Sequence, residues 1–342
     1  MSEDLYTLFV GIDIAAESAS IAYTEDPQTP GPVFDIKQTQ KGIEYLKKRL
    51  LATKHPPDKT LVVVEATGNY WWKIALALHE AGYRVSVINP ARAHYFARAL
   101  LKRAKTDHLD AQVLAQLAAT LKPKLWTPPP EVHGRLLQRL AQREDLVKSR
   151  TQALNRLHAL RHLPRAEEAV IRRQKELADF LQKQITEIDS ELEKVLESDD
   201  EWNETARLLL GVKGIGILTA AWLLVVTCNF TSCDTPGQLV SYAGLAPRVR
   251  ESGTSVNGRR FIGHAGSNLL RKTLFMAALN ATQHNPLIQT FYKRLRDRGK
   301  SFKVANCACA RKLLCICWAV ATKKTQFDPF YQPQAELVPA IA

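Results

Sequence analysis

Cysteine is scarce here, and badly spaced for staples or for zinc. The chain has six thiols, four of them at Cys307, Cys309, Cys315 and Cys317. Helical spacing sets Cys307 with Cys315, and Cys309 with Cys317, two turns apart, which does not make one tetrahedral site. They read as small apolar core residues of a reducing compartment. Long hydrophobic runs are also missing. The longest, Ile217 to Val226, falls well short of the roughly 20 residues that a bilayer crossing needs. The first residues, Met1-Ser2-Glu3-Asp4, are acidic and no basic-then-apolar leader follows, so the expected location is the cytoplasm. The third shortage is local. From Ser241 to Lys324 there are only two acids, Glu251 and Asp297, against sixteen Lys and Arg, a local +14 beside +13 for the whole chain. The rest is close to neutral, and a pI near 9.5 points to an anionic partner, nucleic acid first. With 342 residues, 46% hydrophobic and 24% charged, the chain is globular and long enough for two or three domains.

What is present begins with short apolar strands. Leu5 to Ile14 reads as a buried strand ending in Asp13. Ala19 to Thr24 and Val33 to Gln38 read as two more. Lys41 to Thr53 has helical periodicity in Ile43, Leu46, Leu50 and Leu51. Leu61 to Val64 is a continuous apolar strand with Glu65 at its carboxyl end. Tyr70 to Ala81 is a helix stopped by Gly82, Arg84 to Ile88 a strand, and Pro90 opens the next helix. Three strands followed by alternating helix and strand predict an α/β sheet with a mixed edge, as in ribonuclease-H-like folds.

The stretch Lys105-Thr106-Asp107-His108-Leu109-Asp110-Ala111-Gln112 then opens a helix expected over Asp107 to Leu121. Spacing of three puts Asp107 and Asp110 on one face. Carboxylates held side by side repel, and a fold that keeps them commonly feeds a hard divalent cation such as Mg²⁺. Each acid also has a plainer reading. An acidic first turn suits the helix dipole, Asp13 can be a turn residue, and Glu65 can cap the helix after Thr67-Gly68-Asn69. As an ordered set, Asp13, Glu65, Asp107 and Asp110 are harder to dismiss. Parallel neighbouring strands can bring Asp13 and Glu65 to one sheet edge under the Asp107 helix. There they would bind one or two Mg²⁺, with Mn²⁺ as a substitute, to activate an attacking oxygen and stabilise a leaving one on a phosphodiester. Trp71 and Trp72 read as packing rather than base stacking.

Lys122 to Pro130 is proline-rich and reads as a linker. Glu131 to Asp200 is long and helical. Leu181, Ile185, Ile188, Leu192 and Val195 step by 4, 3, 4 and 3, Leu140, Val147 and Leu154 repeat every seven, and Pro164 divides the two halves. This predicts an antiparallel helical hairpin or a dimerising coiled coil. Arg135, Arg139, Arg143, Lys148, Arg150, Arg156 and Arg161 make the first half basic, either as a solvated face or as a nucleic-acid contact.

Leu209 to Ala220 fits a helix-hairpin-helix pattern, in which Lys213, Gly214 and Gly216 would meet a phosphate at a helix N-terminus. A glycine turn between two apolar helices would look the same. Beyond it lies a glycine- and serine-rich loop among Arg248, Arg250, Arg259 and Arg260. By composition it is an ordinary polar loop. It also holds what a serine attacking phosphate needs: a flexible backbone, a hydroxyl and cations for the developing charge. Asn268 to Thr282 reads as a helix with Arg271 and Lys272 on its polar side. Phe291 to Lys303, with Lys293 and Arg294, is densely basic and expected to meet nucleic-acid backbone in a salt-sensitive way. Val304 to Thr322 reads as a final apolar helix, and the tail after Lys324 as poorly ordered.

FVGID, VVVEATGNY and KTDHLDAQ, with the C-terminal run AGLAPR…SG…LLRKTLFMAA, resemble the RuvC-like DEDD transposases of bacterial insertion sequences. That family includes the Piv/MooV site-specific invertases and the bridge-RNA-guided recombinases, and the resemblance covers nearly the whole chain. It is accordingly divided into a RuvC-like catalytic domain (1–125), a linker and coiled-coil hairpin (126–200), a mostly α C-terminal transposase domain (201–328) and a tail (329–342). The resemblance implies that the four acids hold Mg²⁺ and that Ser252, the serine before glycine, is the nucleophile of a covalent phosphoserine link to DNA. Ser255 is its neighbouring competitor. Where the family carries a lysine in an Ile-Ser-Lys pattern, this chain has Ile262-Gly263-His264. Either His264 takes a phosphate or proton-transfer role, or the position is dispensable. Further implications are double-stranded donor and target DNA, a structured guide RNA, a homo-oligomer of two or four subunits, no membrane, and a place at the bacterial nucleoid.

Three rivals remain at this level. A metal-dependent nuclease such as a junction resolvase would use the acids with water and no covalent step. An actin-like ATPase would explain GIDIAAESASIA, but no second Asp-x-Gly phosphate loop follows. A non-catalytic DNA-binding protein would find four acids near anionic DNA a liability.

Overall fold

Strand alternation in the first 100 residues builds one sheet with two different faces. Strands β1 (Leu8–Ile14), β2 (Ser18–Thr24) and β3 (Val33–Lys37) form an antiparallel meander. Strands β4 (Thr60–Glu65) and β5 (Arg84–Ile88) run parallel to β1, and the order across the sheet is β3-β2-β1-β4-β5. The expected mixed α/β sheet is therefore what folds. The computed structural model describes residues 5–29, 31–100, 106–247, 262 and 266–330, and the backbone of 251–252 and 256–257. They belong to two compact units, residues 1–128 and 129–342.

In the first unit Leu8, Val10, Ile12 and Ile14 point to one face. There they join Ile21, Val62 and Val64 against helices α1 (Gln40–Leu51) and α2 (Trp72–Glu80). Phe9, Leu61 and Val63 point to the other face, against α3 (Pro90–Ala99) and α4 (Asp107–Leu121). Gly11 falls on this second face by the same alternation. A Cβ at Gly11 would stand 2.2 Å from both the Ala111 carbonyl oxygen and the Ala115 amide nitrogen. Ala111, Ala115 and Ala118 make the approaching stripe of α4, all buried. A glycine facing alanines thus sets the helix backbone directly on the strand.

The stretch Lys122 to Pro130 is less free than a linker. Ser86 Oγ donates to the Lys124 carbonyl (2.8 Å) and the Trp126 N–H to the Val85 carbonyl (2.8 Å). Its first half therefore lies against the edge strand β5 and meets one of its otherwise open carbonyls. The Trp126 ring stands edge-on to Trp71 and Trp72, which are stacked on each other at 4.7 Å. Both tryptophans pack, as the sequence suggests.

The second unit is helical. Helices α5 (Glu131–Arg161) and α6 (Glu168–Glu197) flank Pro164 and pair antiparallel. Arg139 meets Glu191 at 2.8 Å, Arg143 grips both oxygens of Asp189, and Arg135 donates to Ser198 Oγ. Three cations of the basic α5 face are thus spent inside the hairpin. The α6 seam is buried as its spacing predicts, whereas of the α5 heptad only Leu140 is buried and Val147 is half-buried. Leu154 is 37% exposed, and Leu136, Leu140, Ala153 and Leu157 do the packing. A straight helix drifts off a strict seven-residue repeat over four turns.

The remaining helices are α7 (Asp200–Leu210), α8 (Ile217–Thr227), α9 (Pro236–Tyr242), α10 (Asn268–His284), α11 (Pro286–Asp297) and α12 (Phe302–Lys323), with a two-residue ladder β6 (Glu251–Ser252) and β7 (Val256–Asn257). An 18-residue window of α12, of mean hydropathy 1.5, is long and apolar enough to cross a bilayer, and half of that window is buried inside the unit. Counting uninterrupted runs misses it, because Asn306, Arg311 and Lys312 break the apolar string. Cys309 and Cys317 lie in its core, and burial pushes their thiols up to about 11 and about 12. The chain after Lys324 keeps order through Phe327, which packs against the same core. Residues 331–342 lie outside those described.

Candidate active site

Parallel register sets the first two acids side by side. Ile12 of β1 pairs with Val64 of β4, so the next residues, Asp13 and Glu65, are neighbours at the carboxyl ends of adjacent strands. Both share the α4 face with Gly11, two residues before Asp13. Thr106 caps α4, its hydroxyl accepting from the Leu109 N–H at 3.3 Å, and Asp107 and Asp110 follow in the first turn. All four acids line one cleft of about 550 Å³, with Thr67, His94 and Arg98. Asp107 is exposed, and Asp13, Glu65 and Asp110 are half-buried.

The electrostatics follow from that crowding. Burial, then the charges of Asp110, Glu65 and Asp107, push the Asp13 carboxyl up to about 6, against a smaller lowering by the Ile14 N–H. Thr67 Oγ1 donates to Glu65 Oε1 at 2.8 Å. Among the described residues no three His, Cys, Asp or Glu side chains converge tightly enough to cage an ion. The donor set nonetheless fits a hard divalent cation of the Mg²⁺ kind. It is all oxygen, it is strained by its own repulsion, and the cleft leaves room for the waters such an ion keeps.

Because the folded value of Asp13 lies above the unfolded one, its contribution to stability is fully present below pH 3.8 and is lost as pH rises through about 6. In a chelator, the stability of wild type relative to Asp13→Asn is expected to rise by about 1 kcal/mol from pH 7.5 to 5, after discounting for half-exposure. Paired thermal melts at the two pH values measure it, and a flat difference would contradict the crowding.

Sequence reading missed the brace beside this cleft. Ser20, opposite Asp13 on β2, donates to Asp35 Oδ1 at 2.6 Å, and His108 Nε2 sits 2.9 Å from Asp35 Oδ2. The Ser20 hydroxyl, then His108, hold Asp35 below the usual carboxylate range. This ties the first turn of α4 to β2 and β3. His94 and Arg98, one helical turn apart on α3, were legible as an i, i+4 pair. Only the fold aims them at the acids.

The second unit holds the other sequence candidates. Ser252 lies on β6 with Val256 opposite. Gly244 (φ 67°) and Gly266 (φ 92°) meet so closely that a Cβ on Gly266 would be 2.5 Å from the Gly244 nitrogen, and the Ser267 N–H donates to the Tyr242 carbonyl at 2.8 Å. Arg248, Arg250, Ser255, Arg259, Arg260 and His264 lie outside the described residues. In the turn between α7 and α8, Gly214 (φ 105°) is packed so that a Cβ would be 2.5 Å from the Ala281 Cβ, while Gly216 has open space. Lys213 is exposed, and its carbonyl accepts from Asn285 Nδ2 at 3.1 Å. Arg271 donates to the Gly244 carbonyl and Lys272 pairs with Glu144 at 3.3 Å. Lys293 and Arg294 are exposed on α11.

Residues 10–164 match the IS110-type DEDD transposase model, and residues 206–293 match the model described as Transposase IS116/IS110/IS902 family. The pilin gene-inverting protein of Moraxella bovis is 32% identical over 329 residues, 94% of this chain and 97% of that one. The chain belongs to the IS116/IS110/IS902 transposase family. The counterpart from Moraxella lacunata is 32% identical over the same coverage. The transposase of insertion sequence IS1328 from Yersinia enterocolitica is 29% identical over 332 residues, 85% of this chain and 94% of its own. As an insertion-sequence transposase of this family, the protein is a DNA-recombining enzyme. The first match contains all four acids and the second contains Ser252. Membership favours this reading of residues 11–22 over a phosphate loop of an actin-like ATPase.

Proposed function

We propose that the acid cleft is the phosphodiester-cleaving centre of a RuvC-like, ribonuclease-H-like domain and that Ser252 is the nucleophile. One observation carries the first half: acids from three separated stretches share one cleft, at a cost in repulsion that a fold would not keep for stability alone. Asp13, Glu65, Asp107 and Asp110 would hold Mg²⁺, which when bound supplies positive charge to the scissile phosphate and its leaving oxygen. Asp13 must be ionised for this role, and the Thr67 hydroxyl holds one Glu65 oxygen, which leaves the other for the ion. The Ser252 hydroxyl attacks phosphorus and passes its proton to a base, while the P–O3′ bond breaks and the leaving 3′-oxygen takes up a proton to become a free hydroxyl. The product is a phosphoserine link that strand exchange later reverses. A homo-oligomer acting on donor and target duplexes, addressed by a structured guide RNA, follows from the family resemblance. The basic C-terminal half is consistent with both nucleic acids.

Trapping a protein–DNA adduct on the cognate element tests the nucleophile. Wild type is expected to give an adduct that survives denaturation, and Ser252→Ala none. An unchanged yield in Ser252→Ala moves the assignment to Ser255. Cleavage that leaves no adduct in wild type favours a water-using nuclease.

A further inference from the structure

Between α11, α12 and the segment that follows α12 lies a pocket of about 330 Å³, lined in part by the start of the basic stretch Phe291 to Lys303. Its walls are of two kinds. Pro286, Leu287, Phe291 and Phe330 are apolar, while Arg294 and Lys312 are cationic. Both cations are drawn to one ring: Arg294 Cζ is 5.2 Å and Lys312 Nζ 4.8 Å from the Phe291 centroid. Among the described residues neither has a carboxylate partner. Asp297 lines an adjoining hollow with Lys293 and Arg298, and Asp328 accepts from the Phe330 N–H at 2.8 Å.

Like charges gathered on one ring cost free energy unless an anion joins them. Burial, then Arg294, hold the Lys312 ammonium below the usual lysine range. Lys312 also interrupts the most apolar stretch of α12, where a methionine would pack as well. On the far wall Phe330 is 82% exposed. A free aromatic face beside paired cations suits a base with its phosphate. A duplex hides its base faces in the stack and offers Phe330 nothing to cover.

We propose that this pocket binds one unpaired nucleotide of a nucleic-acid strand, with its phosphate between Arg294 and Lys312 and its base against Phe330. The site shares no residue with the acid cleft and does not include Ser252, and its test is binding alone, so failure of the cleavage chemistry leaves it standing.

The test is fluorescence anisotropy of the full chain with a labelled single-stranded 12-mer and with its duplex. Arg294→Gln with Lys312→Met is expected to weaken single-strand binding about tenfold and to lower the salt slope by about 1.4. Phe330→Ala is expected to weaken the same probe about fivefold or more. Duplex affinity should change by about threefold or less in either variant. Lys175→Gln with Lys183→Gln on α6 removes the same charge elsewhere and is expected to leave single-strand binding within about twofold. Equal losses on both probes, equal losses in the α6 control, or no effect of Phe330→Ala overturns the pocket. Unchanged melting temperatures exclude misfolding, since Arg294 and Phe330 are exposed.

Discussion

Asp13→Asn is expected to abolish strand cleavage, by about a thousandfold or more, while binding of duplex DNA stays within about twofold. Asparagine keeps the shape of the side chain and removes its charge. The loss should therefore fall on chemistry and not on the sheet. The same variant is expected to be more stable than wild type. Asp13 is the member of the cluster that burial, Asp110, Glu65 and Asp107 all disfavour as an anion. Its neutralisation relieves that repulsion, and in a chelator at pH 8 the melting temperature should rise by roughly 2–5 °C. Activity and stability moving in opposite directions is the signature of a functional acid. A variant that loses cleavage, DNA binding and melting temperature together would mark Asp13 as structural.

Gly11→Val is expected to lower the melting temperature of the first unit by roughly 10 °C and to destroy cleavage. The atoms that a Cβ would strike are backbone, the Ala111 oxygen, the Ala115 nitrogen and the Leu114 carbonyl carbon. No rotamer avoids them, so α4 must move away from β1. That movement carries Asp107 and Asp110 away from Asp13. Because backbone is in the way, trimming Ala111 or Ala115 to glycine should not rescue the variant. Rescue by either would show that side-chain volume, not the helix backbone, sets the spacing. Thermal melts and cleavage assays below the melting transition separate lost fold from lost site.

The linear chain already carried the sheet, because its strands are short apolar runs of fixed period and its helices repeat every 3.6 residues. The helix over Asp107–Leu121 is bounded in the structure as the sequence places it, since Thr106 and the acidic first turn mark its start. The order of the four acids along the chain could also be read, and with it the kind of cation they suit. Packing decided the rest. Gly11 looks like any glycine until a helix is laid across it. His108, Asp35 and Ser20 lie on three elements and become a brace only when those elements meet. Arg139 and Arg143 looked available to nucleic acid until Glu191 and Asp189 arrived from the partner helix of the hairpin. Periodicity reports which face of an element is buried, whereas a contact between faces depends on residues far apart in sequence that no local pattern links.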